Sequence, residues 1–153
     1  MHNIGFLTTR FLDLSETFIY EPLLLLRDVH PYVYALQRRN EDNFPYPDVT
    51  IGAAKCLFEK MREQKISLLH AHYGYMGVFA LPFKKKTGLP LITSFYGLDV
   101  YQHTKSPFYR WQLRQLFKQG DLFLTCSQKM RQDLIKFGAP PSRTRVLYGG
   151  ADL

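Results

Sequence analysis

The chain has 153 residues, a length that fits one domain with a sizeable core. It carries 20 Lys and Arg against 13 Asp and Glu, a net charge of +7, with 46% apolar and 22% charged residues. That ordinary globular composition excludes intrinsic disorder, collagen and a disulfide-stapled miniprotein.

Apolar runs such as Leu23 to Leu26 are too short to span a bilayer, and the start MHNIGFLTTR has no secretory pattern. Cys56 and Cys126 are lone thiols, so a reducing, cytoplasmic setting is expected. The charge is uneven. Residues 1–83 hold eight basic and nine acidic residues; residues 84–153 hold twelve basic and four acidic ones, a net +8. A basic half points to phosphate, nucleic acid or an anionic membrane surface, or else to a solubilising face.

In chain order, β-rich runs alternate with helical patterns. A first strand is expected over about 2–8, a loop over 9–14, and a helix over about 16–28 that Asp13 or Ser15 would cap. Pro22 falls inside that helix and predicts a kink or a late start. Tyr32 to Leu36 reads as a strand, 37–50 with Pro45 and Pro47 as a loop, and about 51–64 as a helix. Ile66 to His70 is a third strand, and a helix over about 75–87 ends at Gly88, ahead of Pro90. Leu91 to Phe95 is a fourth strand, 106–118 a helix, and Asp121 to Cys126 a fifth strand. Ser127 opens a helix that ends at Gly138, and Arg145 to Tyr148 is a sixth strand. The alternation predicts an α/β fold: a Rossmann-like parallel sheet of about six strands with helices on both faces.

Such sheets bind ligands at the carboxyl ends of their strands. The candidates are therefore Thr8, Thr9 and Arg10 with Ser15, Glu16 and Thr17; then His70, His72, Tyr73 and Gly74; then Tyr96, Gly97 and Asp99; then Ser127. His70 and His72 are two apart and share a strand face, but no third ligand at metal-site spacing accompanies them, so no metal is expected. Each histidine reads either as a polar group capping a strand end or as an acid–base or sugar-binding group. Gly74 and Gly77 open a helix whose free N–H groups could hold an anion, or they permit close packing. No G-x-G-x-x-G, P-loop or G-x-S-x-G pattern is present. Asp99 and His103 are an i, i+4 pair for which a surface hydrogen bond is expected.

Arg110, Arg114 and Lys118 fall at i, i+4 and i+8 on the 106–118 helix, beside an aromatic face. That stripe fits an anionic membrane surface, or the solvated face of a core-packed helix. Nucleic acid is not expected as a partner, because the aromatics sit in apolar patterns rather than interleaved with basic residues on a strand platform.

Five segments occur in a telling order: L-S-E-T-F-I (14–19), L-H-A-H-Y-G (69–74), G-L-P-L-I-T-S-F-Y-G-L-D-V (88–100), S-Q-K-M (127–130) with Leu134, and G-A-P (138–140) through V-L-Y-G-G-A-D (146–152). Together they resemble the N-terminal half of the family 4 retaining glycosyltransferases of GT-B architecture, of the exopolysaccharide and colanic-acid type. The resemblance covers essentially the whole chain. It implies the acceptor-side half of an enzyme that uses a nucleotide-sugar as co-substrate and no other cofactor, with a glycan or lipid-linked glycan as acceptor. It further implies cytoplasmic placement, peripheral on the inner membrane face, where Arg110, Arg114 and Lys118 would meet anionic lipid.

Residues 1–148 would be the N-terminal domain and 149–153 the start of the hinge. The donor domain is expected to lie outside this sequence, since no two glutamates here are separated by seven residues, and such a half is expected to be inactive alone. By the same resemblance His72 is the catalytic position. Arg10, Ser15, Glu16, Thr17, Tyr73, Gly74, Tyr96, Gly97, Asp99 and Ser127 are the acceptor- and sugar-binding candidates. Tyr96 stands where the family has a histidine, and Gly149 where it has an asparagine. The rival reading from the residues is a stand-alone basic module that binds anionic lipid or another phosphorylated ligand. Of the two histidines, His72 is expected to face an open cleft, with His70 more buried.

Overall fold

A computed structural model describes residues 2–148. Seven strands and six α-helices alternate along it: β1 (His2–Phe11), α1 (Thr17–Leu25), β2 (Val29–Arg38), β3 (Val49–Ile51), α2 (Ala54–Glu63), β4 (Leu68–His72), α3 (Gly74–Thr87), β5 (Leu91–Phe95), α4 (Leu98–Tyr101), α5 (Pro107–Gln119), β6 (Leu122–Thr125), α6 (Gln128–Lys136) and β7 (Thr144–Val146). Short 3-10 turns cover His103–Lys105 and Pro141–Arg143. The strand order is β3-β2-β1-β4-β5-β6-β7, an α/β Rossmann-like sheet. By its contacts the chain divides at His70 and Ala71 into two compact units.

In the first unit β1 pairs parallel with β2 from His2 against Val29 to Phe11 against Arg38. Leu7, Tyr34 and Leu57 are fully buried there. In the second unit β5, β6 and β7 pair in parallel, and Phe95, Leu113 and Phe123 fill the core.

Seven strands stand where about six were expected, and the extra one is β3. It lies where a loop and the start of a helix were read. Three residues are too few to show a period of two, but Val49, Thr50 and Ile51 suit a pleated edge. Pairing with β2 supplies the rest: Val33 N–H donates to Asp48 O at 2.8 Å, and Gly52 N–H to Ala35 O at 3.1 Å.

β1 runs on to Phe11 through the expected loop, because Phe11 and the following Leu12 are buried. α1 stops at Leu25 instead of 28; Pro22 inside it removes one helical donor. Neither Asp13 nor Ser15 caps α1. Glu16 is the N-cap residue, and its carboxylate accepts from Asp13 N–H at 2.9 Å. The other punctuation behaves as its chemistry demands. Gly88 ends α3 with a left-handed φ of 74°, and Ser127 Oγ caps α6 by accepting from Met130 N–H at 3.1 Å.

Candidate functional site

β4 and β5 are neighbours in the strand order, and each runs into a turn that opens a helix. The second unit gathers six of the candidate residues on these two turns. Asp99 joins them: its carboxylate accepts from Gly74 N–H at 2.7 Å, Tyr96 N–H at 3.2 Å and Gly97 N–H at 3.1 Å. Asp99 is fully buried. Burial pushes its pKa up from the ordinary carboxylate value, while the backbone N–H bonds pull the other way. The expected surface pairing with His103 is therefore replaced by a brace inside the protein. The N-terminus of α3 is closed by the chain's own Asp99 carboxyl group. The imidazole of His103 instead packs on the rings of Tyr75 and Tyr109, each at 5.7 Å between centroids.

Gly74 and Gly77 admit no side chain. A Cβ at Gly74 would lie 2.5 Å from Phe95 Cε1 and 2.6 Å from the Tyr109 hydroxyl. One at Gly77 would lie 2.6 Å from Thr93 Oγ1. Of the two readings of these glycines, close packing of α3 is the one with contacts behind it.

Tyr73 connects β4 to α3 with φ 75° and ψ 146°, a combination ordinarily held by glycine. Its N–H donates to Ser94 O at 2.8 Å, which ties the turn to β5. Its ring lies parallel to Tyr75, 5.3 Å away, and edge-on to Tyr96 at 5.0 Å. Next to it, His72 is 3% exposed, and its Nδ1 lies 2.7 Å from the Tyr96 hydroxyl.

The expectation that His72 faces an open cleft is not met. His72 is the buried one, whereas His70 keeps intermediate exposure as a residue. The strand explains this, because β4 ends at His72, two residues later than expected. The His70 ring sits 5.0 Å from Phe6, and desolvation pushes its pKa down to about 4.

The remaining candidates are placed as follows. Ser127 spends its hydroxyl on capping α6. In the first unit Arg10 pairs with Asp13 at 2.9 Å, and Asp13 also meets Arg39 at 3.4 Å. Ser15 and Thr17 are exposed at the start of α1, and Glu16 is half-buried.

On α5, Tyr109, Leu113, Leu116 and Phe117 are buried, while Arg110, Arg114 and Lys118 are all exposed. Phe108 and Trp111 are 66% and 56% exposed, with ring centroids 5.9 Å apart. A hollow of about 340 Å³ adjoins the stripe, lined by Arg114, Lys118 and Arg143 with Phe117, Gly138 and Pro140. Arg143 is occupied there, donating to the carbonyls of Gly120 and Phe117. Among the described residues, no three His, Cys, Asp or Glu side chains group as a metal site, and no helix is long and apolar enough to cross a membrane.

Sequence reasoning missed the brace role of Asp99 and the ring contacts of Tyr75, His103 and Tyr109. The Asp99 role had a local signal: an acidic residue two and three positions after a turn can reach back to its N–H groups. The ring contacts had none.

The family model described as Glycosyltransferase Family 4 matches residues 13–153. A colanic acid biosynthesis glycosyltransferase designated WcaL, from Salmonella typhimurium, is 32% identical over 85 residues, covering 54% of this chain and 21% of that protein. The WcaL of Escherichia coli K12 is 31% identical over the same length. Among solved structures, Anabaena Alr3699/HepE in complex with UDP-glucose superposes with a TM-score of 0.79 at 17% identity, covering 99% of this chain and 45% of that one. The lipopolysaccharide outer core galactosyltransferase WaaB superposes with a TM-score of 0.73 at 10% identity, covering 95% and 45%. The chain thus spans under half the length of these structures, and its matched stretch spans about a fifth of the curated relatives.

Proposed function

The chain belongs to glycosyltransferase family 4, and on that premise we propose that it is the acceptor-side half of a nucleotide-sugar-dependent, retaining glycosyltransferase of cell-surface polysaccharide synthesis. The observation that carries this reading is the braced pair of turns after β4 and β5, which holds His72, Tyr73 and Tyr96 at the strand ends where this fold class binds ligands. In this reading His72 contacts the transferred sugar, and Tyr73 and Tyr96 line the sugar subsite. Arg10, Ser15, Glu16 and Thr17 meet the acceptor. Gly74, Gly97, Asp99 and Ser127 serve as scaffold, because their N–H, carboxylate and hydroxyl groups are engaged within the chain. The nucleotide-sugar is a co-substrate, and its diphosphate would be held by a second domain.

The chain alone, incubated with UDP-glucose and other nucleotide-sugars, should release no nucleoside diphosphate above a buffer blank; clear turnover would overturn the half-enzyme reading. A longer protein carrying this chain ahead of a donor domain should release nucleoside diphosphate in an acceptor-dependent way. Its His72→Ala variant should lose roughly 100-fold in kcat/KM. A fully active variant would remove His72 from the chemistry.

The exposed Phe108 and Trp111 beside Arg110, Arg114 and Lys118 support a second element: peripheral docking on the anionic cytoplasmic membrane face, where a lipid-linked acceptor would be met. Each basic residue near such a surface contributes about 1 kcal/mol, and salt screens it. Co-sedimentation should favour anionic over neutral vesicles and weaken with salt. Gln at all three basic positions should abolish the preference. Equal binding to both vesicles would refute the docking.

A further inference from the structure

The Tyr96 hydroxyl and His72 Nδ1 are 2.7 Å apart, and the two ring planes differ by only 6° with centroids 6.0 Å apart. Two near-parallel rings cannot be separated, plane to plane, by more than the distance between touching atoms. Here that limit is shorter than any face-to-face stacking distance, so the rings meet edge to edge. The hydroxyl therefore meets Nδ1 at the rim of the imidazole and not over its face.

The chemistry of the partners sets the direction of the bond. A phenol titrates near 10, and an imidazolium near about 6.5. Of the two directions open to the bond, phenol O–H to imidazole nitrogen pairs the more acidic proton with the more basic atom. A neutral imidazole carries one ring proton, and with Nδ1 accepting, that proton sits on Nε2.

We infer that Tyr96 is a positioning residue that locks neutral His72 in its Nε2–H tautomer, making it a fixed hydrogen-bond donor from Nε2 rather than a base at that atom. Two further contacts hold Tyr96 in place: its N–H on Asp99 Oδ1 and the edge-on ring of Tyr73. The substitution of tyrosine for the histidine of the related pattern gains meaning from this. A histidine at 96 would offer Nδ1 a nitrogen whose proton depends on its own tautomer, whereas a tyrosine always has a hydroxyl proton to donate in the neutral pH range. What the donor is for rests on the proposed function: an accepting oxygen of the sugar or of an ionised phosphate.

The test is nitrogen-15 NMR on the histidine-labelled chain, with His72→Gln to assign the signals. The expected result is a protonated Nε2 and an acceptor-type Nδ1 for His72. Tyr96→Phe should shift the tautomer ratio toward Nδ1–H. Should Tyr96→Phe fail to fold, uniform 3-fluorotyrosine labelling serves instead, because it makes the phenol more acidic and should move the His72 Nδ1 signal. A wild-type Nδ1–H tautomer overturns the inference, as does an Nε2–H tautomer that neither change moves. The measurement uses the chain without ligand, so it stands or falls independently of the turnover assays above.

Discussion

The carboxylate of Asp99 accepts the N–H of Gly74 at 2.7 Å across 25 residues of sequence, and so ties the turn after β5 to the first residue of α3. The same carboxylate holds Tyr96 N–H and Gly97 N–H, so one buried side chain sets the backbone around both His72 and Tyr96.

Asp99→Asn tests this brace. An amide has one accepting oxygen and a donating nitrogen, so at least one of the three N–H groups would face a donor. Leaving a buried donor unsatisfied costs about 1–3 kcal/mol. Chemical denaturation should show a loss in that range; an unchanged midpoint would mean that the backbone holds itself.

Tyr73 offers a reversal of the usual ranking. Its φ of 75° with ψ of 146° costs a non-glycine residue about 1–3 kcal/mol. Tyr73→Gly removes that strain along with the ring, whereas Tyr73→Ala loses the ring and keeps the strain. Gly should therefore be more stable than Ala at this position, by about 1 kcal/mol or more. Thermal unfolding of the two variants decides, and Ala at or above Gly would place the turn elsewhere in conformational space.

His72→Ala is expected to affect folding as well as chemistry. Removing a buried ring that bonds the Tyr96 hydroxyl leaves a small cavity and a broken hydrogen bond, about 1–3 kcal/mol together. A melting temperature equal to wild type would mean that the ring is less buried in solution.

His70 gives a pH dependence whose sign is fixed. Its folded pKa of about 4 lies below the unfolded value of 6.5, so the unfolded chain binds more protons between the two. Its neutral form is stabilised above about pH 6.5, and that contribution is lost as pH falls toward 4. The whole effect is at most about 3 kcal/mol. Asp99, with its raised pKa, acts in the opposite sense, because its ionised form is the disfavoured one. The comparison is therefore with His70→Gln. The stability of wild type relative to that variant should decline steadily from pH 6.5 to 4. A constant difference would show that His70 does not titrate on unfolding.

Much of this protein was legible in its sequence. Strand–helix alternation, Gly88 as a left-handed cap and Ser127 as an N-cap are local facts, set by periodicity and by what one residue can do to its own turn. The five ordered segments likewise pointed to the family and to the strand ends that carry its candidates. What the tertiary structure decided depends on partners far away in the chain. β3 exists because β2 supplies its hydrogen bonds. Gly74 must be glycine because Phe95 and Tyr109 close over it. The burial of His72 follows from where β4 ends and from the Tyr96 hydroxyl 24 residues on. Spacing can put two histidines on one strand face, but only packing against other elements determines how far each is withdrawn from water.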